Sequence, residues 1–377
     1  MLLGFLALAQ VTLAIDTAAG QGSAQPLLQP VTAIESSALL LRLGGQEGPL
    51  SSPAGERFEL LSASGEQVQG GLGSSDEETL VVELAGGVFV PFAIDGLREL
   101  RHAQRAADLV LDRPSEGDRV WRVRGTGVER IDGALVGFAG DALVFEGAAV
   151  GEFQVAFSEL AGLVVEGLGS PSTVKQTGTQ VLVDLNDGSR LSGLFERLDA
   201  KSLKLMRRGS ALELPTQLVA QLLPDDGRAR WLSALRATKT EAARPFGDDA
   251  GMVWYPRMDR AIGGGLLRCA GERHARGVGM LSPSRVEYAL DGSLTRLRGA
   301  CGLDDSVLTT PLRPVARALV ELDGKVVWDS GPLAAGAAPK ALDVPLNGAK
   351  TLALVVVDHD GSFAGDRVDW LSLLLVR

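Results

Sequence analysis

GERHARGVGMLSPSRVEYAL, residues 271–290, holds His274, one of only three histidines in the chain, among arginines, serines and a tyrosine. Such a mixture suits a hydrolase site, a phosphate loop or a nucleic-acid groove, so its reading decides what kind of fold surrounds it. Gly277 and Gly279 take strand positions where two backbones approach closely. Ser282-Pro283-Ser284 is the turn into a second strand that runs toward Leu290. His274 precedes the first strand, and no serine or aspartate accompanies it in the context of a catalytic triad. The run Gly277-Val278-Gly279-Met280-Leu281-Ser282 is neither a G-x-S-x-G elbow nor a G-x-x-x-x-G-K phosphate loop. The stretch therefore reads as a strand pair without chemistry, one arm of a β-sandwich.

The flanking sequence agrees. GGLLRCAG, LTRLRGACGLDDS, PVARALVELDGKVVWDS, KALDVPLNGAKTLALVVVDHD and DRVDWLSLLLVR all alternate, with turn signals at Asp291-Gly292, Asp323-Gly324 and Asn347-Gly348. About seven or eight strands with hairpin turns and no helix predict a two-sheet sandwich. The chain's two cysteines, Cys269 and Cys301, both fall here. An exported chain permits a disulfide between them, and the apolar strand around Cys301 equally suits a buried free thiol.

From Trp254 to Arg377 the order of motifs resembles the NPCBM family, carbohydrate-binding modules of the galactose-binding-like fold. WYPRMDRAIGGGLLRCAG is similar to the family's opening Trp and Asp with a Gly-rich strand, and RHARGVGMLSPSRVEYAL to its Gly-x-Gly…Ser strand pair. GLDDS (residues 302–306), VELDGKVVWDSGPL and DRVDWLSLLL resemble the Asp-Asp turn, the Asp-Gly-Lys hairpin and the closing Asp-x-x-Asp-Trp strand. The chain departs from the pattern at Met280-Leu281, where a His-Ser or His-Ala pair is common, and at Cys301, where Val is common; the missing histidine would weaken any ligand contact made there. The resemblance implies a glycan or polysaccharide ligand and a galactose-binding-like β-sandwich (jelly roll) over residues 245–377.

Sugar recognition needs an aromatic face for the C–H patch of the ring and planar polar groups for hydroxyl pairs. The candidates are Trp254, Tyr255, Asp304, Asp305, Asp369 and Trp370. Core packing competes with that role for the aromatics, above all for Trp328, Tyr288 and Trp370. Asp304-Asp305 and Asp366-x-x-Asp369 are alternatively fold-bracing acids or ligands of a structural Ca²⁺, although neither has EF-hand spacing. No other cofactor is expected.

Ahead of the sandwich, three segments repeat at a period of roughly 60 residues, the size of a small barrel of four or five short strands. Each turns at Gly, runs through a second strand over Gly71, Gly137 or Gly193, and has a third strand at Leu80–Leu84, Ala142–Phe145 or Ser202–Met206. A further strand ends near Pro91, Ala156 or Pro215. The pattern, with Asp-Gly turns such as Asp187-Gly188, is similar to Sm-like small barrels. The repeats are assigned to residues 30–105, 118–168 and 174–224; the first is the least regular and reads as a strand pair capping the second. The acidic SSDEET run (residues 74–79) is a solvated hairpin turn. No metal, phosphate or nucleic-acid motif is found in the repeats, which read as a spacer or a protein-interaction platform.

Ala, Leu and Arg over residues 228–244 predict a helical linker with Trp231, Leu232 and Leu235 on one face. The fold class is thus all-β: SH3/Sm-like barrels, a short helical linker, then the sandwich. The 377 residues admit two to three domains. The apolar run MLLGFLALAQVTLA predicts a signal peptide over residues 1–24, a first buried strand or helix being the alternative. It is too short to span a bilayer, as is Leu371–Val376. A net charge of −10 argues against nucleic acid. The charge is uneven, with 16 acidic and 15 basic residues from Pro245 onward against 31 and 22 before it. The expectation is an exported, extracytoplasmic (periplasmic or secreted) bacterial protein without catalytic activity that binds carbohydrate. The alternative is a cell-envelope structural or protein-interaction protein, with envelope proteins as partners.

Overall fold

The computed structural model describes residues 11–44, 56–106, 116–148, 150–166, 177–244, 253–311 and 313–377, with residues 109, 111, 112 and 114. Among these, strands are joined by turns and short 3₁₀ segments, and no α-helix is present. The chain begins with β1 (Thr12–Thr17), β2 (Gln25–Pro26) and β3 (Ala38–Gly44), where β3 returns antiparallel on β1. Residues 1–10 of the expected signal peptide lie outside the described residues; Thr12–Thr17 of the same segment is a sheet strand.

Three five-stranded units follow. The first is β4 (Phe58–Ser62), β5 (Gln67–Leu72), β6 (Thr79–Leu84), β7 (Val88–Ala93) and β8 (Leu97–His102). The second is β9 (Asp118–Arg124), β10 (Gly127–Ala139), β11 (Ala142–Gly147), β12 (Gly151–Ala156) and β13 (Leu160–Val164). The third is β14 (Gln180–Leu185), β15 (Arg190–Leu198), β16 (Ser202–Arg207), β17 (Ser210–Pro215) and β18 (Val219–Pro224). In each, four strands meander antiparallel, and a tight turn then carries the fifth back onto the first, pairing β4–β8, β9–β13 and β14–β18. Alternation drives this. Leu80, Val82 and Leu84 of β6, or Leu203 and Leu205 of β16, point into a core while their neighbours stay half-exposed. The first unit is as complete as the others, so it is a barrel in its own right and not a capping strand pair.

Barrels one and two share a sheet edge, β8 against β13. They meet so closely that a Cβ at Gly137 would lie 2.8 Å from the Glu77 carbonyl oxygen. Glycine is needed there because backbone meets backbone. Ser75, in the acidic turn, exchanges two backbone hydrogen bonds with Gly140 (2.9 and 3.0 Å), while Asp76, Glu77 and Glu78 face solvent.

The sandwich is built from β19 (Ala229–Trp231), β20 (Lys239–Glu241), β21 (Arg257–Met258), β22 (Leu267–Cys269), β23 (Glu272–His274), β24 (Gly277–Leu281) and β25 (Ser284–Ala289). It continues with β26 (Arg296–Leu303), β27 (Val315–Leu322), β28 (Lys325–Ala334), β29 (Lys340–Pro345), β30 (Thr351–Asp358) and β31 (Arg367–Val376). One sheet has the order β21-β24-β31-β26-β29, with β19 added along β31; the other is β20-β25-β30-β27-β28. The 271–290 stretch holds three strands: β23, which contains His274, then β24 in one sheet and β25 in the other, so its Ser282-Pro283 turn crosses the sandwich and the two strands it joins do not pair. Val278, Met280, Val286, Tyr288, Leu297 and Trp370 meet in the core between the sheets.

The helical linker expected over residues 228–244 is not formed. Ala229–Trp231 pairs antiparallel with Val376–Leu374, a 3₁₀ turn spans Leu232–Ala234, and Lys239–Glu241 pairs with β25. A helix would place Trp231 and Leu232 on one face. The extended chain sends them apart, Trp231 against Leu39, Leu223 and Leu374 and Leu232 into the sandwich core. Two separate cores to fill outweigh the modest helix preference of Ala, Leu and Arg. The sandwich thus starts at Ala229, ahead of the expected boundary at Pro245, which lies outside the described residues.

Buried charge joins the barrels to the sandwich. Asp184 of β14 accepts hydrogen bonds from Arg190 Nε (3.0 Å), Gln221 Nε2 (3.0 Å) and Arg276 Nε (2.7 Å). Arg276 also donates Nη1 to Asp259 Oδ2 at 2.8 Å. Burial alone would raise the Asp184 pKa, but Arg276 and Arg190 outweigh it and hold the carboxylate at about 2.

Candidate functional site

Register gathers most of the candidate residues at one end of the β24-β31-β26 sheet. Leu281 lies opposite Arg367, and Leu303 opposite Val368, so the C-terminal ends of β24 and β26 flank the start of β31. β21 runs antiparallel to β24 with Arg257 opposite Gly279, which brings Trp254-Tyr255 beside Leu281. Trp254 is half-buried against Ala243, Ile262 and Leu281, and exchanges two backbone hydrogen bonds with Ala243 (3.1 and 2.9 Å). Tyr255, next in sequence, is 61% exposed. One aromatic anchors the segment and the other is presented to solvent.

The three candidate acids occupy the same end but are engaged with the protein. Asp304 is buried and caps the 3₁₀ turn Asp305–Thr309, accepting the Ser306 N–H at 2.9 Å. Asp305 Oδ2 accepts the Gly271 N–H at 2.8 Å and pairs with Arg268 Nε at 3.4 Å. Asp369 is fully buried and accepts the Arg268 N–H at 3.0 Å. Burial first, then the neighbouring Asp304, push its carboxyl well above the usual range. Each of the three acids thus holds a backbone N–H, and Asp305 also holds an arginine, so they brace the local fold. Among the described residues no group of three or more His, Cys, Asp or Glu side chains is placed to hold a metal ion.

Trp370 is a core residue. It is fully buried opposite Cys301 and Val278, with its ring 6.2 Å from that of half-buried Trp328. Tyr288 is likewise buried in the core. Cys269 and Cys301 are free and buried, without a disulfide between them. Burial pushes the Cys269 thiol up to about 12, and shifts Cys301 in the same direction. His274, the residue that raised the question of catalysis, has a pKa lowered by burial, and its Nδ1 lies 3.4 Å from Ser372 Oγ.

One aromatic at this end escaped the sequence reading. The loop between β30 and β31 carries Phe363, 38% exposed. The loop is tied down by Asp358 accepting from Gly361 N (3.1 Å) and Asp360 accepting from Ser362 N (3.0 Å). Its last residue, Asp366, accepts the Ser282 N–H on its carbonyl at 3.2 Å, which anchors the loop to the β24–β25 turn. The available signal was a lone aromatic in DHDGSFAGD, a stretch otherwise made of turn residues. The Asp366 carboxyl is buried with no hydrogen-bond partner among the described residues; burial, then Asp360 and Asp358, raise it to about 7.

The two-sheet antiparallel sandwich thus presents exposed aromatics, Tyr255 and Phe363, on the loops at one end. Residues 229–376 match the family model described as the NPCBM/NEW2 domain, from the first strand of the sandwich to its last, which supports a carbohydrate-binding module. Among solved structures the chain is similar to the CBM51 of Clostridium perfringens GH95 in complex with methyl-galactose (24% identity, 39% of this chain and 99% of that one, TM-score 0.34). It is also similar to the CBM51-2 and INT domains of Clostridium perfringens ZmpB (19% identity, 48% of this chain and 38% of that one, TM-score 0.35). A third is the tandem CBM51 modules of a family 98 glycoside hydrolase of Streptococcus pneumoniae (13% identity, 68% and 88%, TM-score 0.33). No curated protein matches.

Proposed function

We propose that the protein binds a glycan through the end of the sandwich where Tyr255 and Phe363 are exposed, and that it is an exported, non-catalytic protein in which the barrels present the module. The family match over the complete sandwich carries this reading. Tyr255 supplies the apolar ring face that a sugar's C–H patch requires, fixed in place by half-buried Trp254. The acids contribute indirectly, since Asp304, Asp305 and Asp369 brace the 3₁₀ turn and the β22–β23 hairpin. The test is the full chain on a glycan array, in buffer with Ca²⁺ and with chelator. Tyr255→Ala should weaken binding about tenfold, the equivalent of about 1.4 kcal/mol, with an unchanged melting temperature. Loss of binding with chelator alone would assign a bridging cation, and a folded chain that captures nothing would overturn the proposal.

A second reading, an envelope protein whose sandwich serves protein contacts, is favoured by a different observation. Val326 (53% exposed) and Val327 (47%) stand side by side on β28, an edge strand of the second sheet. Edge strands with exposed apolar side chains are templates for pairing. If this reading is right, Val326→Lys abolishes capture of an envelope partner and leaves glycan binding unchanged.

A further inference from the structure

A cleft of about 410 Å³ opens where three parts of the chain meet: β1 and β3, the third barrel, and the β22–β23 face of the sandwich. We propose that this cleft binds a monosaccharide-sized acidic sugar, a hexuronate, with Arg273 taking its carboxylate. The volume lies in the range of small-molecule sites, and such sites form preferentially at domain junctions. The sandwich wall is a built feature. Register slips between Arg298 and Ala300 where β26 pairs β31, and Ser372 on the facing strand has φ of +49°. A non-glycine residue keeps that conformation only where its surroundings over-determine it, and bulges and such residues cluster at functional sites. Ser372 is held by its N–H donating to the Arg276 carbonyl at 2.8 Å.

The lining chooses the chemistry. It contains no Phe, Tyr or Trp ring, the faces that stack on a neutral sugar, and it carries three arginines against two acids. Arg42 is committed to Asp16, donating Nε and Nη2 at 3.0 Å each. Arg298 donates to the carbonyls of Thr17 and Ala18, both at 2.6 Å. Arg273 is exposed, and among the described residues its side chain makes neither a hydrogen bond nor an ion pair, which makes its guanidinium available to a carboxylate. Glu272 and the Ser372 hydroxyl, also in the lining, are suited to accept and exchange hydrogen bonds with sugar hydroxyls. The cleft requires the N-terminal strands and the third barrel as well as the sandwich, so it is a different site from the Tyr255 end.

The experiment is calorimetric titration of the full chain with sodium galacturonate and sodium glucuronate, with galactose and glucose as neutral controls. At least one uronate should saturate, at least tenfold more tightly than its neutral counterpart. Arg273→Gln should weaken that binding at least tenfold without changing the melting temperature, since the side chain has no partner to lose among the described residues. Tyr255→Ala should leave the uronate signal intact. Absence of saturation by either uronate, or undiminished binding by Arg273→Gln, overturns the proposal. Uronate binding by a chain that is silent on the array would sustain this site and overturn the Tyr255 reading; the converse result would do the opposite.

Discussion

Asp366 shows how one carboxylate sets a pH dependence. Its folded pKa of about 7 lies above the unfolded value of 3.8, so its contribution to stability is intact below about pH 4 and is lost as pH rises toward 7. Asp369 is displaced in the same direction. His102 and His274 oppose them. Both are lowered from 6.5 by burial, so their contribution is present above pH 6.5 and is lost as pH falls. Asp366→Asn should therefore flatten the stability loss between pH 4 and 7, where each unit of raised pKa is equivalent to about 1.4 kcal/mol. Urea midpoints at pH 5 and pH 8 measure it, and an unchanged difference between the two would refute the assignment. The thiols give a second residue-scale prediction. Cys269 and Cys301 should resist a thiol reagent in the native protein, and both should react in denaturant without prior reduction. Alternation in DRVDWLSLLL put Asp369 and Trp370 on opposite faces, yet both are fully buried. One face meets the core and the other the β22–β23 hairpin through Arg268. A strand covered on both sides gives no periodic sign of which side a ligand would reach.

At the scale of elements, what was local was legible. The second, third and fourth strands of each barrel are consecutive hairpins whose Gly turns and alternation lie within a few residues of one another, and their positions agree with the structure at Leu80–Leu84, Ala142–Phe145 and Ser202–Met206. Closure is not local: in the first barrel it pairs Phe58 with His102, far apart in sequence, where no turn signal marks it. The 228–244 segment departs from the expected helix for the same reason, because its conformation is imposed by β31, with Trp231 opposite Leu374. Trp231 is 1% exposed and fills the cluster between barrel and sandwich. Trp231→Ala should cost about 3–5 kcal/mol, whereas alanine at Arg236, an exposed neighbour on the same segment, should be close to neutral. A helix carrying an exposed Trp231 would show no such contrast, and chemical denaturation of the two variants decides between them.

Across the whole molecule, the barrel block and the sandwich are coupled by Asp184. In Asp184→Asn, Arg276 keeps Asp259, but Arg190 loses its carboxylate and two guanidinium groups remain buried around a neutral amide. Breaking a buried ion pair from one side costs about 3–5 kcal/mol, mostly through the charge left behind. The carboxylate titrates at about 2, so the coupling persists through mildly acidic conditions and fails only as pH falls toward that value. The penalty falls on the junction, since each half has its own hydrophobic cluster, one among the barrels and one between the sandwich sheets. Scanning calorimetry of the full chain should show cooperative melting of barrels and sandwich in the parent protein. In Asp184→Asn the transition should move to lower temperature and divide into two. A variant that melts as one transition at the parent's temperature would mean that the apolar contacts of Trp231, Leu223 and Leu374 hold the halves together without the charge. In that case the orientation of the module on its barrels would be set by packing alone.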